Sequence, residues 1–398
     1  MRLTPATELE HRCKRLQELM EQSRLDAVLI IQSADLFYFT GSIQSGCLYV
    51  PNDGQPIYMA RKDFQRARME SGLREVVPFS NMKDIPGILA QYDYREPGRI
   101  GMELDVIPVS LYERYRKVYP QAEFVDAAPI IRQVRMIKSL YEIHLLKDAA
   151  DQVDRVFQRA AEIIRVGATD LEIAAELEYT ARKDGHQGLI RMRGFNSELF
   201  YAQIFSGADS AVPSYLDAPL GGMGLNTSFA QGAGLKRIAA NEPVMVDFGG
   251  CSDGYIVDQT RVFAIGGISD RLQRGYEDMV KVQQCMIESA LPGATWGDVY
   301  DQCLALAVDR GYADSFMGAR GAQVSFIGHG IGIELDEYPF IARGFNDKRL
   351  EVGMVFAFEP KLVFPGEGAV GIENTFYISE DGLKKLTYSC EELLILAG

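Results

Sequence analysis

Four acidic residues and one histidine stand in apolar, strand-like segments of the second half of the chain, where their types and spacing suit metal chemistry. Asp247 and Asp258 lie on either side of Cys251–Gly254, a turn-rich segment between two apolar runs, so this stretch is typical of a β-hairpin. A turn centred between Ser252 and Asp253 would place the two aspartates directly opposite, with Cβ atoms roughly 4.5–5.5 Å apart. Like charges that close need a cation between them or a proton on one of them.

A second hairpin repeats the arrangement near the C-terminus. Apolar segments flank the turn at Pro365–Gly368, and Glu359 and Glu373 are placed symmetrically about Gly366. Between the two hairpins lies His329, with a glycine on each side that permits close approach of a ligand or of other backbone. Each residue alone would be explained as a cap, a turn residue or a hydrogen-bonded core residue. Together, four carboxylates in apolar strands need compensating positive charge.

That positive charge has two candidate sources. Arg261 and Lys361 are the basic residues close by in sequence, and the alternative is a pair of divalent ions, whose four charges balance four carboxylates. The chain has only 4 histidines, so a metal site here must rest mainly on carboxylates. Oxygen donors with one imidazole suit Mn²⁺, Co²⁺, Fe²⁺ or Zn²⁺. The pattern favours a binuclear metal site over ion pairing alone.

The elements that position these residues divide the chain in two. Up to about residue 130, helical and strand patterns alternate as in an α/β unit, and Ser139 with Glu142 then forms a capping box that opens a long amphipathic helix. Beyond it, Gly-Ala-Thr occurs at 167–169 and at 293–295, each time after a long helix and ahead of a second helix. The matched order of elements predicts a duplicated unit with a pseudo-two-fold axis.

These residues, in this order and spacing, resemble the ligand pattern of the pita-bread metallopeptidases, a family that includes Xaa-Pro aminopeptidase, prolidase, methionine aminopeptidase and creatinase. The resemblance covers the whole chain, including DAVLIIQSADLFYFTGS in the N-terminal part. It implies an α/β creatinase-like N-terminal domain over residues 1–133. It also implies an α+β pita-bread catalytic domain with pseudo-two-fold duplication over residues 134–398.

The same resemblance implies roles for the site residues. Asp247 and Asp258 would hold one divalent ion, His329 and Glu359 the other, and Asp258 and Glu373 would bridge the pair. Mn²⁺ or Co²⁺ is expected, with Zn²⁺ and Fe²⁺ also compatible. A hydroxide held between the metals would attack the scissile carbonyl, and Glu359 would act as proton acceptor and shuttle. A homodimer is expected, because relatives often assemble so that an N-terminal domain shields a neighbour's active site.

Several positions depart from the family pattern. Family peptidases usually carry substrate-contacting histidines where this chain has Ser214 and Asp336, so these two are candidates for substrate binding and for proton transfer. A carboxyl at Asp336 could donate a proton only with a raised pKa. Prolidase-like members place Arg at Gly371 and Asp at Asn374, so the usual anchor for a substrate carboxylate is missing. Arg193 is a candidate replacement; ion pairing is its alternative role.

Composition limits the partners. The chain has 398 residues, a net charge of −14, 47% hydrophobic and 24% charged residues, as in an ordinary globular protein. The acidic balance argues against nucleic-acid binding, which needs clustered Lys and Arg. No apolar run approaches the roughly 20 residues that span a bilayer, and no signal core is recognisable. Six scattered cysteines favour reduced thiols, so we expect a cytoplasmic protein without a membrane partner.

Three functions are compatible with this sequence. The first is a binuclear metallo-exopeptidase of the Xaa-Pro aminopeptidase or dipeptidase type, which the intact ligand set and the two-domain layout favour. The second is a creatinase-like hydrolase of a small non-peptide C–N substrate, favoured by the missing histidines and arginine. The third is a metal-binding pseudo-peptidase. A binding protein has no need to retain four buried carboxylates, so we expect a hydrolase acting on a short peptide.

Overall fold

The computed structural model describes residues 2–397, which form two compact units. The first unit runs to Arg135 and also contains the short segment Arg193–Asn196. The second comprises Met136–Met192 and the chain from Ser197 onward. The boundary expected after residue 133 lies two residues before the observed boundary after Arg135. The sequence did not predict that Arg193–Asn196 belongs to the first unit.

The first unit is a six-stranded mixed sheet with helices. Its strands lie in the order β4-β3-β2-β1-β5-β6, and β1 is buried along its whole length, as its apolar run requires. The strands are β1 Ala27–Ile30, β2 Gly46–Pro51, β3 Ile57–Ala60, β4 Glu75–Pro78, β5 Arg99–Met102 and β6 Glu123–Asp126. The helices are α1 Ala6–Ser23, α2 Ser33–Thr40, α3 Phe64–Glu70, α4 Ile85–Ala90, α5 Val109–Val118 and α6 Ala128–Met136.

The second unit combines four long helices with three antiparallel or mixed sheets. The helices are α7 Leu140–Ile163, α8 Asp170–Lys183, α9 Asp270–Ser289 and α10 Trp296–Asp309. The strands are β7 Ala202–Ser206, β8 Pro243–Ser252, β9 Tyr255–Ile265, β10 Phe326–Ile331, β11 Leu335–Ala342, β12 Val355–Phe358, β13 Lys361–Phe364, β14 Gly368–Gly371, β15 Asn374–Ser379, β16 Gly382–Lys385 and β17 Leu394–Leu396. The sheet orders are β17-β9-β8-β7, β11-β10-β12-β15-β16 and β13-β14.

The two Gly-Ala-Thr segments begin equivalent helices. Thr169 is the N-cap of α8 and its hydroxyl accepts the amide hydrogen of Glu172 at 3.1 Å. Thr295 caps α10 in the same way and accepts from the amide of Asp298 at 3.0 Å. Such caps satisfy amides that the first helical turn leaves without partners. The predicted helix starts are confirmed in both halves.

The duplication extends to an arginine that follows each helix pair. Arg237 donates to the carbonyl oxygen of Gly167 at 2.6 Å, and Arg349 donates to that of Gly293 at 2.7 Å. Matching isolated bridges join Thr169 to Arg237 and Thr295 to Arg349. The same side-chain contact at the same place in each half supports the predicted repeat.

Helix α7 packs against the β8–β9 hairpin, which carries Asp247 and Asp258. Its predicted capping box between Ser139 and Glu142 is present. A Cβ added at Gly250 of β8 would lie 2.2 Å from Val153 Cγ2 and 2.8 Å from the carbonyl oxygen of Ala149. The helix therefore packs directly on the strand backbone, which only glycine permits at this point. No helix within residues 2–397 has the length and apolarity that a membrane span requires.

Candidate metal centre

The first hairpin brings the two aspartates together, but in a register different from the predicted one. Asp247 pairs with Thr260, and Asp258 pairs with Gly249. The two turn residues are Asp253 and Gly254, with φ of 46° and 88°. Positive φ at both central positions is what a two-residue type I′ turn requires, and Asp-Gly is a favoured pair for it. The prediction of directly opposite aspartates was wrong. They are diagonal neighbours on one face, a separation still within reach of a shared cation.

The second hairpin has the predicted register. Glu359 and Glu373 lie between the end of the β12–β15 ladder and the start of the β13–β14 ladder. A pair of directly opposite residues flanks them on each side. These pairs are Phe358–Asn374 and Lys361–Gly371. The symmetry about Gly366 is therefore confirmed, and the two buried glutamates face one another from neighbouring strands.

His329 on β10 directs one ring nitrogen toward these glutamates. Its Nε2 lies 3.8 Å from Glu359 Oε1 and 3.9 Å from Glu373 Oε1. Its Nδ1 lies 3.3 Å from the carbonyl oxygen of Gly330, so a hydrogen assigned to Nδ1 leaves the Nε2 lone pair facing the carboxylates. Burial alone lowers the pKa of His329, but the negative charges of Asp336, Glu359 and Glu373 outweigh it and raise that pKa above its usual value.

Lys361 lies among the same carboxylates. Its Nζ is 2.7 Å from Glu359 Oε2, 3.0 Å from Asp247 Oδ2 and 3.1 Å from Glu373 Oε2, and the residue is 1% exposed. Burial disfavours its charge, but the three carboxylates outweigh that and raise the pKa of Lys361 well above its usual value. Of the two basic residues near the site in sequence, Lys361 pairs with the carboxylates. Arg261 instead donates to four backbone carbonyl oxygens and to an asparagine side chain.

The remaining donors fit a divalent ion. Asp258, His329 and Glu373 each offer a ligand atom, and these atoms lie within 4.8 Å of one another. Glu373 Oε1 is buried and accepts no hydrogen bond from the part of the chain that the structure describes. Burial, together with the charges of Glu373 and Asp247, raises the pKa of Asp258 well above its usual value. An orphaned carboxylate oxygen beside an imidazole and a second carboxylate is the chemistry that Mn²⁺, Co²⁺ or Zn²⁺ satisfies.

This cluster forms one wall of a cavity of about 150 Å³ in the second unit. The predicted residues that line it are Asp247, Asp258, His329, Asp336, Glu359 and Glu373. Apart from His329, the described residues of the lining carry only neutral or acidic side chains. The acidic Asp217, which the sequence interpretation did not single out, also lines it. The sequence feature that could have identified Asp217 is its position three residues after Ser214, in the segment in which family peptidases usually carry a histidine.

Asp336 lies at the edge of the cluster in a strained backbone conformation. Its φ is +62°, a region that few residues other than glycine adopt, although Asp, Asn and His tolerate it best. Its Oδ1 is 3.6 Å from His329 Nδ1, and 42% of its side chain is exposed. Asp336 is therefore placed to contact both the imidazole and a molecule in the cavity.

The two predicted substrate-binding residues are held elsewhere. Ser214 donates to Gln231 Oε1 at 2.9 Å and accepts the amide hydrogen of Leu216; it lines a second cavity of about 500 Å³ rather than the one beside the carboxylates. Arg193 belongs to the first unit, where Asp35 lies 2.7 Å from its Nη1 and Asp105 lies 2.6 Å from its Nε. Its expected role as a carboxylate anchor is not supported, because these aspartates use its guanidinium; ion pairing, the alternative, is what the structure shows.

The other two departures from the family pattern have structural explanations. Asn374 is fully buried, and its Nδ2 donates to Gln283 at 2.7 Å and to Glu391 at 2.9 Å, which an aspartate could not do. Gly371 faces Lys361 across the ladder, and a Cβ there would lie 2.8 Å from Lys361 Cγ. The side chain absent at 371 leaves the space in which Lys361 packs.

Two family models match the chain. Residues 12–137 match the creatinase/prolidase N-terminal domain, and residues 144–380 match metallopeptidase family M24. These matches confirm the predicted creatinase-like N-terminal domain and pita-bread catalytic domain.

Individual relatives match over the full length. The chain is 28% identical to the Xaa-Pro dipeptidase of Pyrococcus furiosus, with 97% of this chain and 100% of the relative covered. It is 26% identical to the Xaa-Pro dipeptidase of Lactobacillus delbrueckii subsp. lactis, with 96% and 98% covered. Among solved structures, the Xaa-Pro dipeptidase from Bacillus anthracis superposes with a TM-score of 0.83 at 25% identity, covering 98% of this chain and 100% of the other. The X-Pro aminopeptidase from Thermotoga maritima gives 0.79 at 25% identity, covering 96% and 99%.

These comparisons support the peptidase interpretation over the creatinase-like alternative, and they imply divalent metal ions as cofactors. With its catalytic segment matched over more than half of the chain, and with His329 and four carboxylates gathered at one cavity, the protein belongs to metallopeptidase family M24.

Proposed function

We propose that this protein is a metal-dependent exopeptidase that cleaves short peptides of the Xaa-Pro type. The observation that carries the proposal is the meeting of His329, Asp258 and the orphaned Glu373 Oε1 at the wall of the cavity. The full-length similarity to Xaa-Pro dipeptidases supplies the substrate class.

The residues of the site have separable tasks. Asp258, His329 and Glu373 would hold a metal ion, which would supply Lewis-acid polarisation of the scissile carbonyl and a lowered pKa for a bound water. Glu359 lines the cavity beside His329 and takes up the proton released in the reaction. Asp336 places negative charge beside the imidazole of His329 and contacts the substrate from the exposed side of the cavity.

The lining predicts which end of the substrate is recognised. Its described residues include no arginine or lysine to bind a free carboxylate, whereas Asp217 and Asp336 supply negative charge. A peptide's terminal ammonium suits such a surface and its carboxylate does not. We therefore expect Xaa-Pro peptides with an amidated C-terminus to be cleaved at least as well as free dipeptides.

Further properties belong to the same proposal. Mn²⁺ or Co²⁺ is the preferred metal, because the donors are mainly carboxylate oxygens. The 6 cysteines are free thiols, which supports a reducing cytoplasm as the compartment. A homodimer is proposed from the family resemblance, and light scattering on the purified protein tests it.

Turnover measurements test the function. Ala-Pro and Ala-Pro-amide would be assayed with Mn²⁺ or Co²⁺ added to chelator-treated enzyme, and Asp258→Asn compared with the wild-type chain. We expect metal-dependent release of alanine by the wild type and a loss of at least about 100-fold in the variant, as removal of a reacting group commonly causes. Lys385→Ala, which alters an ion pair with Glu391 away from the cavity, is the matched control. Metal binding without turnover of either peptide would refute the peptidase assignment.

A further inference from the structure

The ammonium group of Lys361 lies where a cation is needed by three of the four carboxylates. Asp247, Glu359 and Glu373 each direct one oxygen to Nζ at 2.7–3.1 Å. These are hydrogen-bonding distances to a charged donor, and no other basic side chain among the described residues is placed on these oxygens. The ammonium is thus a fixed, buried counter-ion within the carboxylate cluster.

The backbone at Lys361 holds the side chain in this direction. Its carbonyl oxygen accepts the amide hydrogen of Met317 at 2.9 Å, and its strand pairs with Gly371 across the ladder. Gly371 has no side chain, so the aliphatic part of Lys361 packs into the space that a Cβ there would fill. Strand pairing and the opposing glycine together direct the lysine into the cluster.

Two of the three oxygens that Lys361 uses, on Asp247 and Glu373, belong to residues expected to bind the same metal ion of a two-metal centre. A divalent ion held by Asp247 and the bridging Glu373 would have to share their oxygens with the ammonium, at a distance where two positive charges repel strongly. The donors left over are Asp258, His329 and Glu373 Oε1, the last of which has no hydrogen-bond donor within residues 2–397. Three protein ligands with an open position are sufficient for one catalytic ion.

We propose that Lys361 replaces one cation of the two-metal centre, so that the site holds a single divalent ion at Asp258, His329 and Glu373. The inference rests on the proposed metal-dependent function and specifies the metal content of that site. One divalent ion and one ammonium leave the four carboxylates with a net charge of −1. Asp247 then bonds the lysine instead of a second ion, and Glu359 bonds it through Oε2 while its Oε1 stays beside His329.

Metal content tests the inference without an activity assay. Full-length wild-type protein and Lys361→Ala would be equilibrated with Co²⁺, and the bound metal counted by elemental analysis and titration calorimetry. We expect one ion per wild-type chain and two per Lys361→Ala chain, because the alanine frees three carboxylate oxygens and the space of the side chain. Lys385→Ala controls for loss of a lysine and should bind one.

A second measurement separates one ion from two directly. Bound Mn²⁺ should give an uncoupled EPR spectrum in the wild type and an exchange-coupled spectrum in Lys361→Ala. Two ions per wild-type chain would overturn the inference and leave the metal-dependent function standing. One ion in both proteins would also overturn it, since the lysine would then exclude nothing. No ion in either protein would refute the metal-dependent function itself. If Lys361→Ala does not fold, two ions per wild-type chain would still overturn the inference.

Discussion

Gly371→Ala is expected to destabilise the catalytic unit, because this glycine lies against the backbone that carries Lys361. A Cβ at position 371 would lie 2.5 Å from the carbonyl oxygen of Pro360 and 2.8 Å from both Cα and Cγ of Lys361. Two of these three contacts involve backbone atoms, which cannot rotate away as the end of a side chain can. The β13–β14 ladder must open to admit the methyl group.

The size of the effect follows from those contacts. Overpacking a buried site costs about 1–3 kcal/mol, and contact with backbone puts this site in the upper part of that range. At roughly 2–4 °C per kcal/mol for a unit of this size, the unfolding temperature should fall by about 4–12 °C. Scanning calorimetry of chelator-treated protein measures the shift.

A matched control uses the same substitution against the same hairpin. At Gly275 in α9 a Cβ would meet only side-chain atoms, Leu362 Cδ1 at 3.1 Å and Val370 Cγ2 at 3.3 Å. Alanine is also favoured over glycine in a helix by about 1 kcal/mol, so Gly275→Ala should unfold near the wild-type temperature. Adding Lys361→Ala to Gly371→Ala removes the Cγ contact, and the double variant should lose about 0.5–1.5 kcal/mol less than the sum of the single losses. Additive losses, or a Gly371→Ala transition within about 1 °C of wild type, would refute the reasoning.

Two further predictions concern histidine chemistry. Burial lowers the pKa of His186 to about 4, and its ring bonds the carbonyl oxygen of Gly249 at 3.0 Å and the amide of Gly188 at 2.9 Å. This pKa in the folded protein is below the usual value near 6.5, so neutral His186 contributes fully to the free energy of unfolding above pH 6.5. That contribution is lost as the pH falls from 6.5 through 4, and the loss is at most about 3 kcal/mol. His186→Gln, which can keep both hydrogen bonds without titrating, should flatten that acid limb in urea unfolding, and an unchanged limb would contradict this role. Asp336→His should raise Xaa-Pro turnover about tenfold or more, because imidazole transfers protons near neutral pH. Histidine also tolerates the positive φ of this position. An equal gain in Asp336→Asn would show that proton transfer is not the cause.

Local patterns predicted much of the fold because they are read from neighbouring residues. Thr169 and Thr295 begin helices since their hydroxyls satisfy the first amides, and the sequence shows both. The register of the first hairpin could also have been predicted, because Asp253-Gly254 is a favoured type I′ pair. The predicted turn was centred one residue too early, between Ser252 and Asp253. Ser214 and Arg193 could not be placed from sequence, because the partners that hold them are 17 and at least 88 residues away.

Lys361 shows how far such local reasoning extends. In a strand, residues two apart share a face, so Lys361 and Glu359 point the same way, and the symmetry about Gly366 sets Glu373 opposite Glu359 and Gly371 opposite Lys361. A lysine facing a glycine has no cross-strand side chain to pack against and can bend along its own face toward the two glutamates. That part of the cluster was contained in the hairpin sequence. The contact with Asp247 was not, because it joins two hairpins 114 residues apart, and it is this third carboxylate that makes the ammonium a rival of a metal ion.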